Sequence, residues 1–292
     1  MKIAFMASDA VAIPAIESVW KNPKTELVAI VSNPDKPKGR GGKVSPNDVS
    51  AWAVSHGVLL LRPEKSPDKD VIEALKNAGV ECIVVMAYGR ILKEEFLNFA
   101  PLGCLNLHGS ILPDLRGASP IETAIALGKT STGVSLMRIV KKMDAGDVAD
   151  VVETEISPRE TGKSLREKIG IDAARLLERN FDKIAEKTLV FTPQNEENAT
   201  YSRKISKSDL YLDFSKSARE LDLRIRAFGC GIVSINGEVL KIGEAFANNG
   251  GKNIKFGMVA SVSKDRILIS CAEGFLNVQK IQAPCAKMLP VS

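Results

Sequence analysis

Short apolar runs alternate with amphipathic stretches along the first half of the chain. The runs are rich in β-branched residues and predict strands at residues 2–6, 27–31, 58–61, 82–87 and 104–107. Between them, apolar positions recur at helical spacing in residues 14–20, 47–56 and 68–78. This alternation is typical of a Rossmann-like, doubly wound, mostly parallel α/β sheet with helices on both faces. The turn at residues 7–10 lacks Gly-x-Gly-x-x-Gly, which disfavours a nicotinamide cofactor.

The second half of the chain follows a different pattern. It predicts a helix at residues 121–127, strands at 132–140 and 148–156, and one long helix capped by Thr161 that continues through Phe181 and Ile184. Polar residues dominate from position 191, and a helix at 217–227 then precedes short strands separated by Asn-Gly and other glycine turns. We therefore predict an α/β domain at residues 1–188, a linker at 189–207 and a smaller, OB-like β-barrel at 208–292.

Two residues at the end of a predicted strand are candidates for chemistry. Asn106 and His108 end the run that begins at Cys104, and ligands of open α/β sheets bind beyond the carboxyl ends of strands. The only other histidine, His56, lies in the last turn of a predicted helix, where an imidazole usually caps carbonyls. Asp144 lies in a turn at residues 141–147, and it becomes a candidate only if the fold brings it beside His108.

Bulk composition is that of an ordinary globular protein, with 45% apolar and 26% charged residues. We find no apolar run long enough to span a membrane and no basic-then-apolar leader, so we expect a cytoplasmic protein. The five cysteines form no Cys-x-x-Cys pair, which favours buried thiols over disulfides or a zinc site.

Positive charge is concentrated in two places. Residues 201–292 contain 14 Lys and Arg against 8 Asp and Glu, whereas the rest of the chain is close to neutral. A loop at residues 33–46 combines four cations with three prolines and three glycines, and it lacks the Gly-Lys-Ser/Thr of a P-loop. Both could be solvated surfaces; the alternative is contact with a polyanion such as RNA.

Several separated motifs resemble one known family. Three motifs resemble the signature of the folate-dependent formyltransferases and occur in the same order as in that family. They are Asn-Leu-His-Gly-Ser-Ile-Leu-Pro at 106–113, Arg-Gly at 116–117 and Asp-Ala-Gly-Asp at 144–147. The similarity covers nearly the whole chain, including residues 37–41 and 199–205. In its length and in having a second domain, the chain resembles the branch of this family that formylates methionine on initiator tRNA. The chain departs from this pattern at residues 7–11, at 229–231 and near its C-terminus.

The resemblance implies a reaction and the residues that serve it. Formyl would pass from 10-formyltetrahydrofolate, as co-substrate and without a metal, to the α-amine of methionyl initiator tRNA, in a protein that we expect to be monomeric. Asn106 and His108 would stabilise the oxyanion and move protons, and Asp144 would orient the imidazole or a water. The folate would contact Ser110, Ile111, Leu112, Pro113, Arg90, Leu92, Val140 and Met143. The tRNA would contact Lys38, Arg40 and Lys43.

Three other functions share some of these features. A sugar-nucleotide N-formyltransferase has the same trio and a second β-rich domain, but the basic loop and the basic C-terminal third favour tRNA. A glycinamide ribonucleotide formyltransferase would leave residues 189–292 without a role. A non-catalytic RNA-binding protein derived from an enzyme is disfavoured, because Asn106, His108 and Asp144 are all present.

Overall fold

The computed structural model describes residues 1–38, 42–235, 237–248, 250, 255–284 and 286–291. In chain order up to residue 130, its strands and helices are β1 (Lys2–Met6), α1 (Ile13–Lys21), β2 (Glu26–Val31), β3 (Lys36–Lys38), β4 (Lys43–Ser45), α2 (Asp48–Ser55), β5 (Leu59–Leu61), α3 (Lys69–Asn77), β6 (Cys82–Val85), α4 (Glu94–Leu97), β7 (Cys104–His108), β8 (Arg116–Gly117) and α5 (Pro120–Ala126). The remainder are β9 (Ser131–Arg138), β10 (Val148–Glu155), α6 (Gly162–Glu178), α7 (Phe181–Ala185), β11 (Tyr201–Ser202), α8 (Ala218–Phe228), β12 (Gly231–Ile235), β13 (Glu238–Asn248), β14 (Val259–Ser263), β15 (Arg266–Ser270), β16 (Phe275–Gln282) and β17 (Leu289–Pro290).

The chain divides into two compact units. The first comprises residues 1–118, 132–154 and 166–202, and the second comprises 119–131, 155–165 and the described residues from 203 onward. The expected boundaries at 188 and 208 stay a prediction. No helix within the described ranges is long and apolar enough to cross a membrane.

The first unit is built on a seven-stranded sheet of order β10-β9-β7-β6-β1-β2-β5. Strands β7, β6, β1, β2 and β5 pair in parallel, and β9 pairs antiparallel with β7. The chain moves outward from β1 through β2 to β5 and then returns to the other side of β1 at β6. This is the predicted doubly wound, mostly parallel sheet, and its strand order reverses between β1 and β6.

The central strands of this sheet are continuous apolar runs because both faces of the sheet are covered. Ile3, Ala4, Phe5 and Met6 of β1 have no exposed surface, and the four residues of β6 are buried as well. Strands buried on both sides read as continuous apolar runs rather than alternating ones. The central strands β1 and β6 therefore contribute mainly apolar side chains to the core of the first unit.

The second unit has its own core. Helix α8 begins at a capping box in which Ser217 and Glu220 bond reciprocally to each other's backbone N–H groups. Its apolar face packs with the antiparallel sheet β12-β13-β16-β15-β14, onto which β17 adds at β16. Leu221, Ile225, Ile242 and Leu276 are almost fully buried there. A smaller C-terminal β domain, as predicted, is confirmed as this antiparallel sheet, whereas its OB-like barrel form and its start at residue 208 stay predictions.

The structure corrects two predictions of secondary structure. The single long helix after Thr161 is two helices, α6 and α7. It breaks because the Asn180 side chain donates to Asp150 Oδ2 at 2.7 Å and to the Leu176 carbonyl at 2.8 Å. The basic segment at residues 33–46, predicted as a loop, contains the short antiparallel hairpin β3–β4. Hydrogen bonds between backbone groups hold this hairpin, so the hairpin needs no apolar pattern in the sequence.

Candidate active site

Strand β7 presents Asn106 and His108 on one face of the sheet. Side chains two positions apart on a strand point to the same side, and here the flanking strands are β6 and β9. His108 is 6% exposed, and Asn106 is half-buried. The carboxyl end of β7 thus carries an amide and an imidazole into the loop that follows.

The imidazole is fixed by the backbone. His108 Nε2 lies 3.0 Å from the Leu115 carbonyl oxygen, and because a carbonyl only accepts, Nε2 carries a proton and donates it there. The other ring nitrogen, Nδ1, lies 3.7 Å from Asp144 Oδ2. That distance is longer than a direct hydrogen bond, so Nδ1 and the carboxylate face each other across a gap.

The carboxylate of Asp144 is held by the loop that also bonds to His108. Its Oδ2 accepts a hydrogen bond from the Gly117 backbone N–H at 2.8 Å. Residues 115 and 117 of one loop therefore bond to both members of the pair, one through a carbonyl and one through an N–H. The sequence alone left Asp144 open as a candidate, and the fold brings it beside His108.

Left-handed backbone conformations cluster around this edge of the sheet. Among the described residues, the non-glycine positions with positive φ are Ala87, Leu115, Asp144 and Lys187. Ala87 follows β6, and Leu115 and Asp144, with φ of 53° and 49°, flank the imidazole. Such conformations cost about 1–2 kcal/mol each for L-residues and are typical of functional sites.

The predicted folate segment follows the histidine directly. Ser110 has no exposed surface, and its carbonyl accepts from Ser135 Oγ at 2.7 Å. The same Ser135 hydroxyl accepts from the Leu112 N–H at 3.0 Å, which ties residues 110–113 to β9. Ile111 and Pro113 are partly exposed, and the Leu112–Pro113 peptide is cis.

The remaining predicted folate residues have different environments. Leu92 packs against the apolar cluster of the first unit, whereas Val140 and Met143, in the loop that holds Asp144, are 42% and 61% exposed. The Arg90 guanidinium donates to the carbonyls of Pro63 and Lys65. The structure thus places Arg90 against residues 63–65, and folate contact stays a prediction for this whole set.

Two of the three predicted tRNA residues, Lys38 and Lys43, lie on the β3–β4 hairpin. Lys38 and Lys43 are opposite each other in its backbone register. Arg40 lies outside the described residues. The neighbouring Val44 is 60% exposed, which is consistent with a hairpin that faces solvent.

Sequence reasoning missed the residues that hold the loops around His108 and Asp144. Arg116 has no exposed surface, and its guanidinium donates to Gln194 Oε1 and to both Glu196 oxygens. These hydrogen bonds, together with the one from Lys142, lower the pKa of Glu196 to about 2. The Arg-Gly dipeptide stands out in the sequence as part of the family motif, but the polar composition around Gln194 indicates only a linker.

The cysteines and His56 behave largely as predicted. Cys82, Cys104 and Cys271 are buried, Cys230 is half-buried, and Cys285 lies outside the described residues. Burial raises the pKa of Cys82 to about 12. His56 caps α2, with Nδ1 donating to the Trp52 carbonyl at 2.8 Å. In the part of the chain that the structure describes, no group of three or more His, Cys, Asp or Glu could hold a metal ion.

Two family models match the chain. The model described as "Formyl transferase" matches residues 1–179, and the one described as "Formyl transferase, C-terminal domain" matches residues 204–292. The chain belongs to the formyl transferase family. The first match contains Asn106, His108 and Asp144, and the second contains α8 and the antiparallel sheet.

Individual relatives and solved structures show which members of the family this formyl transferase is similar to. It is 35% identical to the methionyl-tRNA formyltransferase of Sulfurihydrogenibium sp. (strain YO3AOP1), with 98% of this chain and 94% of the relative covered. It is 34% identical to that of Stutzerimonas stutzeri (strain A1501), with coverages of 99% and 92%. In fold it is similar to a Helicobacter canadensis N-formyltransferase solved with folinic acid and dTDP-3-aminofucose (TM-score 0.67, 21% identity, coverages of 99% and 100%). It is also similar in fold to methionyl-tRNA formyltransferase from Clostridium thermocellum (TM-score 0.58, 16% identity, coverages of 86% and 95%).

Proposed function

We propose that this formyl transferase transfers the formyl group of 10-formyltetrahydrofolate to the α-amine of methionyl initiator tRNA, for translation initiation. The observation that supports it most is the approach of His108 Nδ1 to Asp144 at 3.7 Å, at the carboxyl end of a strand that also presents Asn106. An amide donor, a proton carrier and a carboxylate are the groups that acyl transfer to an amine needs.

Each of the three side chains has a defined task in this proposal. The amine nitrogen attacks the formyl carbon, and the carbonyl electrons become an oxyanion that the Asn106 amide and the imidazole stabilise by hydrogen bonding. The new ammonium loses one proton, and N10 of the folate gains one when the carbon–nitrogen bond breaks. The number of protons is conserved, so His108 and Asp144 need only move one from the amine to the leaving nitrogen.

The tautomer limits which nitrogen of His108 takes part. Nε2 is committed to the Leu115 carbonyl, so Nδ1 is the atom that exchanges the proton. Asp144 Oδ2 faces Nδ1 at 3.7 Å, and a substrate atom or a relaying water that lies beside the pair can bond to both groups. The Gly117 N–H keeps the carboxylate oriented while the charge moves.

The residues near His108 fit a folate as co-substrate. Residues 110–113 offer apolar side chains and backbone groups held rigidly by Ser135, and Val140 and Met143 add exposed apolar surface on the Asp144 loop. A flat heteroaromatic ring with hydrogen-bonding edges binds well in sites of this composition. We propose these residues, with Leu92, as the folate site, and we include Arg90 as in the sequence-based prediction.

Acceptor recognition is proposed to rest on positive charge. The hairpin with Lys38, Arg40 and Lys43, and the basic excess of residues 201–292, suit the phosphates of an acceptor stem. Identity of 32–35% to methionyl-tRNA formyltransferases over nearly the whole chain supports the same acceptor. A cytoplasmic location and a monomeric state stay predictions.

One assay tests the proposal against its closest alternative. The protein is incubated with 10-formyltetrahydrofolate and either methionyl initiator tRNA or a dTDP-amino sugar, and formylated product is measured. We expect formyl-methionine on the tRNA and none on the sugar nucleotide. The alternative is a sugar-nucleotide acceptor, because the Helicobacter canadensis enzyme of similar fold was solved with dTDP-3-aminofucose. Product with the sugar alone would establish that alternative instead.

A further inference from the structure

The segment between the two family matches binds the catalytic loops rather than merely joining domains. Residues 192–202, here named the strap, run from an antiparallel bridge with Val148 to the pairing of β11 with β8. Both loops that hold the His108–Asp144 pair contact it. All of these contacts lie within the first unit.

At one end, the strap holds the loop that orients the imidazole. Thr200 accepts from the Arg116 N–H through its carbonyl at 2.9 Å and from the Leu115 N–H through Oγ1 at 2.8 Å. Its hydroxyl in turn donates to Asp114 Oδ1. The residue whose carbonyl binds His108 Nε2 is therefore itself fixed by the strap.

Toward the other end, Gln194 holds the loop that carries Asp144. Gln194 Nε2 donates to the carbonyls of Asp144, at 2.9 Å, and Gly146, at 2.7 Å. Gln194 Oε1 accepts from Arg116 Nε at 3.0 Å and Nη2 at 2.8 Å. The amide orientation is unambiguous, because guanidinium only donates and carbonyls only accept.

This arrangement uses the full bonding capacity of one amide. Because Gln194 donates two hydrogen bonds and accepts two, its amide has a single orientation. The oxygen of this amide accepts from Arg116, which has no exposed surface. The turn at residues 144–146 cannot shift without breaking these bonds. Since Asp144 adopts a left-handed φ of 49°, the turn needs such external support to stay in place.

We propose that Gln194 is a positioning residue for formyl transfer, acting through the backbone of Asp144 and Gly146 on the carboxylate that faces His108. The proposal rests on the proposed function, in which that pair performs the proton transfer. Displacement of a reacting group by about 1 Å costs about 100-fold in rate. Loss of this amide is therefore expected to lower kcat about 10- to 100-fold while the Michaelis constants for folate and tRNA stay near wild type.

Two substitutions separate the two sides of the amide. Gln194→Glu keeps an acceptor for Arg116 but turns the donor into an oxygen facing two carbonyls, and Gln194→Met removes both sides at similar volume. Both should lower kcat, and the neighbouring Asn195→Ala is the matched control, since the hydrogen bond that the structure describes for its side chain is accepted from the Glu197 N–H, within the strap. Wild-type kcat in folded Gln194→Glu and Gln194→Met would overturn the proposal, as would a loss confined to either Michaelis constant.

A double-mutant cycle distinguishes positioning from general damage. If Gln194 acts through Asp144, Gln194→Met should have little further effect on kcat in an Asp144→Asn background. Fully additive losses would contradict the proposal. If Asp144→Asn alone leaves kcat unchanged, the proposed catalytic pair is wrong; if it lowers kcat and the Gln194 variants do not, only the positioning role is wrong.

A second position keeps the test valid if the Gln194 variants fold poorly. Thr200→Val removes the hydroxyl that binds the Leu115 N–H and the Asp114 carboxylate, and Thr200→Ser restores it. We expect kcat to fall in the first variant and to recover in the second, with thermal unfolding followed in parallel. Equal kcat in the two variants, or loss without recovery, would count against a strap that positions the site.

Discussion

Two loops at the same edge of the sheet are held in different ways. The loop at residues 110–118, proposed to be catalytic and here named the catalytic loop, is bonded along its length, to β9 through Ser135, to Asp144 through Gly117 and to the strap through Thr200. In the basic segment at residues 33–47, the described side-chain hydrogen bonds lie at Asn33, Asp35 and Asn47, and the backbone pairing of β3 with β4 joins the two halves. Asn33 Nδ2 donates to Ser8 Oγ and the Tyr88 carbonyl, each at 2.7 Å, and Asn47 Nδ2 donates to Ser32 Oγ at 3.0 Å.

The difference follows from what each loop is proposed to do. A reacting formyl carbon needs groups placed to within a fraction of an ångström, so the catalytic loop gains from every additional hydrogen bond. A polyanion is recognised by charges that act over about 8–10 Å, so a hairpin anchored near its base and exposed at Val44 suffices. The two loops should therefore respond differently to the same kinds of substitution.

The largest effect is expected at the trio itself. His108→Ala and Asp144→Ala should each lower kcat by about 10²-fold or more, and Asn106→Ala by about 10²- to 10³-fold, because a positioned acid–base group or oxyanion donor contributes that much. Folate binding, measured by ligand fluorescence titration, should survive. Near wild-type turnover in any folded variant of the three would mean that the active site is elsewhere.

Matched glycine substitutions compare the rigidity of the two loops. At Gly117, φ is +110° and an added Cβ would lie 2.2 Å from the Ser202 carbonyl oxygen, so Gly117→Ala should destabilise the protein by about 3 kcal/mol or more and reduce kcat. At Gly42, φ is +62° but no atom of the described residues lies within 4 Å of that Cβ, so Gly42→Ala should cost only about 1–2 kcal/mol. Urea unfolding and turnover measure both; equal costs would contradict the comparison.

Removing the hairpin cations should affect tRNA only. With Lys38, Arg40 and Lys43 replaced by alanine, the Michaelis constant for tRNA should rise. Its salt dependence should also flatten: the slope of the logarithm of affinity against the logarithm of salt concentration should decrease by about 1 for each phosphate that the protein no longer neutralises. Folate parameters should barely change. The double variant Lys69→Ala/Lys76→Ala on helix α3 is the control for loss of surface charge. Unchanged tRNA kinetics at low salt would show that the hairpin is an ordinary solvated surface.

The smallest effect is expected at Glu196 and depends on pH. Its pKa is lowered from 4.5 to about 2 by hydrogen bonds from Arg116 and Lys142, so its contribution is present above about pH 4.5 and is lost as pH falls toward 2. Glu196→Gln should therefore be less stable than wild type near pH 7, and the difference should shrink on acidification. Unfolding at several pH values checks this, with Glu197→Gln as control; a difference that does not vary with pH would be inconsistent with it.

Local patterns were enough to predict most elements of both units. The strands of the parallel sheet and helices α1 to α3, α5 and α8 were found to within a few residues, because burial on two faces leaves continuous apolar runs and burial on one leaves helical periodicity. The break at Asn180 and the β3–β4 hairpin were missed. Both depend on hydrogen bonds to partners that periodicity does not encode, such as Asp150.

For the candidate site, the sequence by itself determined that Asn106 and His108 share one face at a strand end, since two-residue spacing fixes this in any strand. Only the tertiary structure decided that Asp144 faces Nδ1, that the Leu115 carbonyl fixes the tautomer and that Gln194 supports the turn at 144–146. The reason is physical: side-chain spacing within a strand is set by local backbone geometry. A hydrogen bond between residues 50 positions apart, such as that from Gln194 to Asp144, exists only after the sheet has brought distant loops to one edge.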